Sequence, residues 1–334
     1  MRYKIFYLSA ALFFSGALIA QPKFTEISTK PGAFSRIGFG ARGIGMGNAM
    51  SAVTTGNLVS YYNPALSPFQ ENNSFQTGYS ILSLDRSLNF LSFTRKFDFY
   101  STKNISDDNK PSRTAGISVG IINSGVSGID GRDNNGISTG ELSTSENQFF
   151  LSVANRFSEK FSMGISVKFY YYKLYEEITS NALGLDIGAL YKVNNNWNVS
   201  LMLSDINSKY EWDTSPIYGQ QGLATKDEFP LMKKVGVSYF NPDIKLLTAL
   251  EFENSNAGTN IVRLGAEYNI FENLFLRGGI DQLNLSNTDS GLKPSFGFSY
   301  SKAFGEWIVG VDYAFMIEQY SSSDRHIIGI NLQF

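Results

Sequence analysis

From Ser74 to the last residue the chain alternates apolar and polar positions in short runs. In 161–169, Phe161, Met163, Ile165, Val167 and Phe169 share one side, and Ser162, Gly164, Ser166 and Lys168 share the other. Val262, Leu264, Ala266 and Tyr268 oppose Arg263, Gly265 and Glu267, and Trp307, Val309, Val311, Tyr313 and Phe315 oppose Gly310, Asp312 and Ala314. Period two marks strands whose two faces meet different surroundings. Fourteen segments carry it, at about 74–82, 88–97, 114–123, 147–157, 161–175, 182–193, 196–206, 231–240, 243–253, 259–270, 273–282, 293–302, 305–317 and 325–334. The predicted fold is all-β and membrane-embedded: a fourteen-stranded antiparallel transmembrane β-barrel, apolar towards lipid and polar towards the lumen.

The connections fit that picture. Ser158-Glu159-Lys160, Asn194-Asn195, Asn241-Pro242, Phe271-Glu272 and Ala303-Phe304 are tight turns. Longer polar stretches, Ser124–Glu146, Asn207–Pro230, Leu283–Leu292 and Glu318–Asp324, fall between them. Short turns at one rim and longer loops at the other is the bacterial outer-membrane arrangement. The connection 98–113 is long where a short turn is expected, which signals either an excursion or a slipped register in the first three strands. In the closing strand His326, Ile328, Ile330, Leu332 and Phe334 fall on one face. Ile330, Leu332 and the terminal Phe334 resemble the signature by which barrel-assembly machinery recognises outer-membrane barrels.

The N-terminal part does not alternate. Met1–Ala20 has the basic start (Arg2, Lys4), apolar core and small final residue of a secretory signal peptide, about 15 apolar residues long and short for a membrane-spanning helix. From 21 to 66 an extended lead-in gives way to a glycine-rich run, and 67–334 is assigned to the barrel. Ala41–Val53 is predicted as a short helix. Its glycines cost roughly 1 kcal/mol each in a free helix, so they point to a backbone that lies close against something. A small helical hatch inside the lumen satisfies that requirement.

Composition narrows the alternatives. The 28 Lys and Arg, two of them in the leader, face 30 Asp and Glu, which is no nucleic-acid profile. With no Cys, the chain has neither a lipoprotein anchor nor thiolate metal sites. Aromatics at 14%, 31 Gly and only 17% charged residues suit twisted strands with aromatic girdles. The predicted location is the outer membrane of a Gram-negative-type bacterium, with outer-membrane lipid as the first partner.

Gly40-Ala41-Arg42-Gly43, then Gly45-Met46-Gly47, then Asn63-Pro64-Ala65 is similar to the N-terminal pattern of the PorV/PorQ family of outer-membrane barrels in Bacteroidetes-type bacteria. That family is itself similar to the FadL fatty-acid transporters, which have fourteen strands and an N-terminal hatch with an Asn-Pro-Ala motif. The resemblance covers the hatch motif closely and the strand pattern generally. It implies an accessory role in type IX protein secretion or surface attachment, with secreted cargo proteins or other secretion components as partners. The FadL likeness implies the alternative, a passive transporter for hydrophobic small molecules. Thr54-Thr55-Gly56-Asn57 departs from the acidic pair the family often has there. The large outer loops with which fatty-acid transporters catch lipid have little room in so short a chain.

Other chemistry is thin. The spacing of Gly43, Gly45 and Gly47 lacks the dinucleotide fingerprint. His326 is the only histidine and stands in phase with lipid-facing residues, so no enzyme, metal or cofactor is expected. Asp130 and Asp133 match a calcium loop only loosely. The inward phase carries Lys168, Asp186, Glu251, Arg263, Glu267, Arg277, Asp281 and Asp312. These charges either select a solute or pair with one another and brace the hatch, with Arg42 joining from the hatch side. The outer stretches 124–146 and 207–230, with Tyr210, Trp212 and Tyr218, are the expected docking surface for a secretion partner.

Overall fold

The computed structural model describes residues 26–84, 86–100 and 111–334. The leader expected over 1–20 lies outside the described residues. The strands are β1 (Ser74–Ile81), β2 (Ser87–Phe99), β3 (Arg113–Arg132), β4 (Ser138–Arg156), β5 (Phe161–Lys173), β6 (Thr179–Lys192), β7 (Trp197–Ile206), β8 (Lys209–Asp213), β9 (Ala224–Glu228), β10 (Met232–Asn241), β11 (Leu246–Ser255), β12 (Asn260–Phe271), β13 (Leu274–Asn284), β14 (Lys293–Phe304), β15 (Trp307–Met316) and β16 (Arg325–Gln333).

Fourteen of these close a barrel of antiparallel neighbours. β16 pairs back onto β1 from Ser74↔Gln333 to Ile81↔His326. β7 meets β10 directly, because β8 and β9 leave the wall and pair only with each other. In hydrocarbon an unpaired backbone amide costs several kcal/mol, so closure is the condition for a sheet to sit there at all.

Burial follows the alternation. Met163, Ile165 and Val167 of β5 are exposed on the outer face, while Ser162, Gly164, Ser166 and Lys168 are buried towards the lumen. His326, Ile328 and Ile330 of β16 likewise point outward. Aromatic pairs ring the short-turn rim: Trp307 stacks on Phe334 with centroids 4.8 Å apart, and Trp197 lies 4.6 Å from Tyr239. Those tight turns mark this rim as periplasmic.

Three expectations need correction, and one open alternative is decided. The stretch 124–146 is not a loop: β3 and β4 run on past their neighbours as a ribbon, and the turn is only 133–137. Beyond Gly125 and Ser145 the ribbon has lost both flanking strands, so neither face is apolar and its alternation is invisible. The stretch 207–230 holds the β8–β9 hairpin, short and dominated by charged residues. The expected helix over Ala41–Val53 is only α1, Gly40–Gly45, after which close-packed turns follow. The long connection between β2 and β3 stands on the short-turn rim with the register of β1 to β3 continuous. Ten of its residues, 101–110, lie outside the described set.

Residues Gly32–Gln70 cross the lumen, and the wall itself starts at Ser74. Nearly everything from Ile37 to Gln70 is buried, except Thr54–Asn57 at the periplasmic side. The hatch approaches the wall backbone to backbone. Gly47 adopts φ +59°, and a Cβ there would lie 2.6 Å from the Leu264 carbonyl oxygen and 2.7 Å from the Ile280 nitrogen. Opposite it, a Cβ on Gly265 or Gly279 would overlap the backbone of Met46 and Gly47. The same contact recurs where Gly164 and Gly188 face Pro64 and Asn63.

Two adjacent glycines of β13 therefore have opposite sensitivities. Gly278 faces lipid with nothing within 4 Å of an added Cβ, whereas Gly279 faces Gly47. Gly279→Ala should destabilise the folded barrel by about 1–3 kcal/mol, the usual cost of overpacking, and Gly278→Ala should be neutral. The midpoint of the heat-modifiability shift on gels reads the difference.

Candidate functional site

Asn63, Pro64 and Ala65 start a 3-10 turn that runs to Phe69. Pro64 takes the first position, where its missing N–H is not needed. The Asn63 side-chain oxygen accepts from the Ala65 amide at 2.9 Å. Its nitrogen donates to Ser51 O at 3.1 Å and to Ala189 O of β6 at 3.3 Å. One side chain thus caps the turn, ties two hatch segments and pins both to the wall. On the other side of the hatch, Tyr62 Oη donates to Asn48 Oδ1 (2.7 Å), and Asn48 Nδ2 donates to Asp281 Oδ2 (3.0 Å).

The sequence-predicted lumen charges fall into three buried groups. Arg42 donates Nε and Nη2 to the two oxygens of Glu267, at 2.9 and 2.8 Å. Its Nη1 reaches Thr55 O and Asn57 O at 2.7 and 3.1 Å. Glu267 also accepts from Arg277 Nε at 2.6 Å, and the chain continues through Ser299 and Asp312 to Asn331. In the second group Arg263 binds Asp281 (2.7 Å), Glu253 (3.0 Å) and Glu251 (3.3 Å), and Glu251 accepts the Ser51 amide at 3.2 Å. Lys234 adds a contact to Glu253 at 3.2 Å. In the third, Lys168 lies 2.8 Å from Asp186 and 2.7 Å from Asp205, and Tyr170 donates to Asp205 at 2.6 Å.

Sequence reading missed Lys234, Glu253, Asp205 and Arg325. Lys234 and Glu253 share the inward phase of Gly236 and Glu251 and were open to the period-two argument. Asp205 sits at φ +60° beyond a register shift between β6 and β7, which no alternation reveals. Arg325, fully buried, donates to Ser80 Oγ at 2.9 Å and to the hatch carbonyl of Ile37 at 2.8 Å.

An apolar cluster lies against β2–β4, among smaller polar side chains. Phe39 packs against Phe90 and Phe150 with centroids 5.0 and 6.1 Å apart, within a buried cluster that includes Leu88, Ile122 and Leu58. The cluster continues outward to Phe34, Ile37, Leu82 and Tyr172. There it opens into an extracellular mouth pocket of about 210 Å³, also lined by Val126, Thr144, Arg86 and Glu146. Phe229, following β9, folds over the hatch at Gly32 and joins Tyr170 (4.6 Å) and Tyr210 (5.0 Å) as a lid of rings. Tyr210 is fully buried and Trp212 half-buried against Tyr172, which removes both from the expected docking surface and leaves Tyr218 exposed. The outer edge of the hairpin is polar: hydrogen bonds from Lys226 and Lys209 hold the Glu211 carboxyl below its usual range.

At the periplasmic side, pockets of about 270 and 510 Å³ flank Gly56, one containing Arg42 and Arg277 and the other Phe240, Leu247 and Phe275. The hatch from Phe39 to Val53 separates them from the mouth. Behind Met46–Gly47 the wall carries a lipid-facing groove of about 720 Å³ lined by Leu250, Leu264, Ala266, Gly278, Ile280 and Phe296.

Several solved structures share this architecture. The toluene transporter TodX of Pseudomonas putida matches 88% of this chain and 96% of its own, at 14% identity and a TM-score of 0.57. The toluene transporter TbuX of Ralstonia pickettii matches 89% and 98%, at 14% identity and 0.56. A Pseudomonas aeruginosa FadL homologue matches 89% and 98%, at 10% identity and 0.55. The fold is shared. No family model and no curated protein matches the sequence.

Arg42 is the side chain through which the hatch holds both the wall and its own periplasmic loop. Arg42→Ala leaves Glu267 with Arg277 alone and frees Thr55–Asn57. Because Arg277 still holds Glu267, the loss is that of charge-assisted hydrogen bonds, about 1.5–3 kcal/mol, enough to populate a displaced hatch. Single-channel conductance in planar bilayers should rise, and unchanged conductance would remove Arg42 as the latch.

Proposed function

We propose that the protein is a passive outer-membrane channel for apolar small molecules, closed at rest by its hatch. The observation that carries this reading is the apolar seam. It begins in the mouth pocket at Leu82, Val126 and Tyr172, passes Phe34 and Ile37, and runs between hatch and wall along Phe39, Phe90 and Phe150. Such a path favours solutes that lose little on leaving water. The Arg42, Arg263 and Lys168 groups are each engaged in ion pairs, so they offer a passing ion no free partner.

The toluene transporters of like fold support the same reading. The secretion role implied by the hatch motif rests on that resemblance alone, and its expected docking surface has lost Tyr210 to the interior. The hatch would have to shift for passage, since Phe39, Ile44, Met46 and Val53 close the seam below the mouth.

Proteoliposomes carrying the protein should take up toluene faster than empty ones. Ile37→Glu, which places a charge at the base of the mouth pocket, should slow that uptake by about tenfold or more, given the cost of desolvating a carboxylate beside the path. Uptake equal to empty liposomes, together with loss of surface display of secreted proteins on gene deletion, would hand the function to the secretion reading.

A further inference from the structure

The polar groups of the mouth pocket are unevenly satisfied. Of its two charged side chains, Arg86 directs Nε and Nη2 to Ser83 O (3.1 Å) and Ser83 Oγ (3.4 Å). Arg36, on the hatch beneath, donates to the carbonyls of Pro31 and Lys30. The carboxyl of Glu146 is different. It projects inward from β4, half-buried, into a pocket walled by Phe34, Ile37, Leu82, Val126 and Tyr172. Among the described residues it has neither an ion-pair nor a hydrogen-bond partner, and Arg36 is the charge that reaches it electrostatically.

Two neighbours share the deficit. The Tyr210 hydroxyl, fully buried and within electrostatic reach of Glu146, is without a hydrogen-bond partner among the described residues. So is Oε1 of Gln148, the next inward residue of β4, which lines a polar void of about 30 Å³ deeper in the lumen. A buried acceptor left unpaired costs about 1–3 kcal/mol, and more when charged. The Glu146 carboxyl is therefore the acceptor of the mouth pocket that no described donor meets.

We propose that the mouth pocket selects apolar molecules carrying one ammonium group, with Glu146 as the residue that receives it. This rests on the apolar-channel reading and specifies what that channel takes. The hydrocarbon part lies against Phe34, Leu82 and Tyr172. The ammonium supplies the donors that Glu146 lacks. A carboxylate of the same skeleton would face Glu146 as a like charge, a repulsion that the guanidinium N–H groups left over on Arg36 and Arg86 offset only in part.

The test uses the full chain in lipid nanodiscs, with empty nanodiscs as the blank. Ligand-observed NMR measures binding of 2-phenylethylamine, propylbenzene and phenylacetate at about pH 8.5, where the Glu146 carboxyl is ionised and the amine still carries its proton. Relative to wild type, Glu146→Gln should weaken 2-phenylethylamine about tenfold, the worth of one charge-assisted hydrogen bond. Propylbenzene should stay within about twofold, and phenylacetate should bind better. Glu146→Asp, which keeps the charge, should retain most of the amine affinity, and an unchanged heat-modifiability shift shows that each variant is folded. Equal amine affinity in wild type and Glu146→Gln overturns the assignment, as does propylbenzene binding to wild type without the amine. If neither binds wild type, the apolar-channel reading falls and this one with it.

Discussion

A fourteen-stranded wall closes its own hydrogen bonds but not its own interior. Eight strands leave a bore that wall side chains can fill, and fourteen do not. The membrane forbids an open edge, so the strand number cannot be lowered by leaving a gap. The chain meets the constraint with its own N-terminal segment. Most other features follow from how that segment is held. Glycines face it from β3, β5, β6, β12, β13 and β14 because a hatch pressed against backbone needs wall positions without a Cβ. Gly47 against Gly265 and Gly279 is the tightest instance, with main chain on both sides and no side chain to give way.

Holding the hatch by packing alone would make it part of the wall. The lumen charges add a different kind of contact. Arg42, Asn48 and Ser51 each meet a carboxylate, on Glu267, Asp281 and Glu251, and each carboxylate is also held by a wall arginine. A buried ion pair is roughly neutral overall against a well-packed apolar substitute, but losing one partner is costly. Arg277 and Arg263 hold these carboxylates in place from the wall side. The wall networks thus fix where the hatch is anchored.

Much of the wall was legible in the residues. Period two identified the strands, their faces and the closing role of β16, because lipid and lumen impose a sharp contrast on alternate positions. The same phase places Lys168, Asp186, Arg263 and Glu267 towards the interior. Legibility ended where that contrast ends. The β3–β4 ribbon and the β8–β9 hairpin stand beyond the bilayer, where both faces meet water and polar residues are free to read as loop. α1 stops at Gly45 for a tertiary reason, since the following turns lie against Gly265 and Gly279. Asp205 depends on a positive φ and a register shift. The mouth could not be read at all. Phe34, Leu82, Val126, Glu146 and Tyr172 come from the hatch, a turn and three strands, and only closure of the barrel brings them together.

The division of the lumen between an apolar cluster and charged groups then has a mechanical meaning. A solute travelling the seam along Phe39, Phe90 and Phe150 meets side chains that move by rotamer changes and contribute only dispersion and burial. Breaking those contacts is gradual, spread over many weak terms. The charged side of the hatch is held by few, strong and directional bonds, which hold or fail as units. A hatch attached in this way should pivot about its charged side and yield on its apolar side, opening the seam without surrendering the anchor at Glu267. The carboxylates that hold Arg42, Asn48 and Ser51 of the hatch all stand on β11–β13, so the hatch is latched from one side and has a direction in which to give.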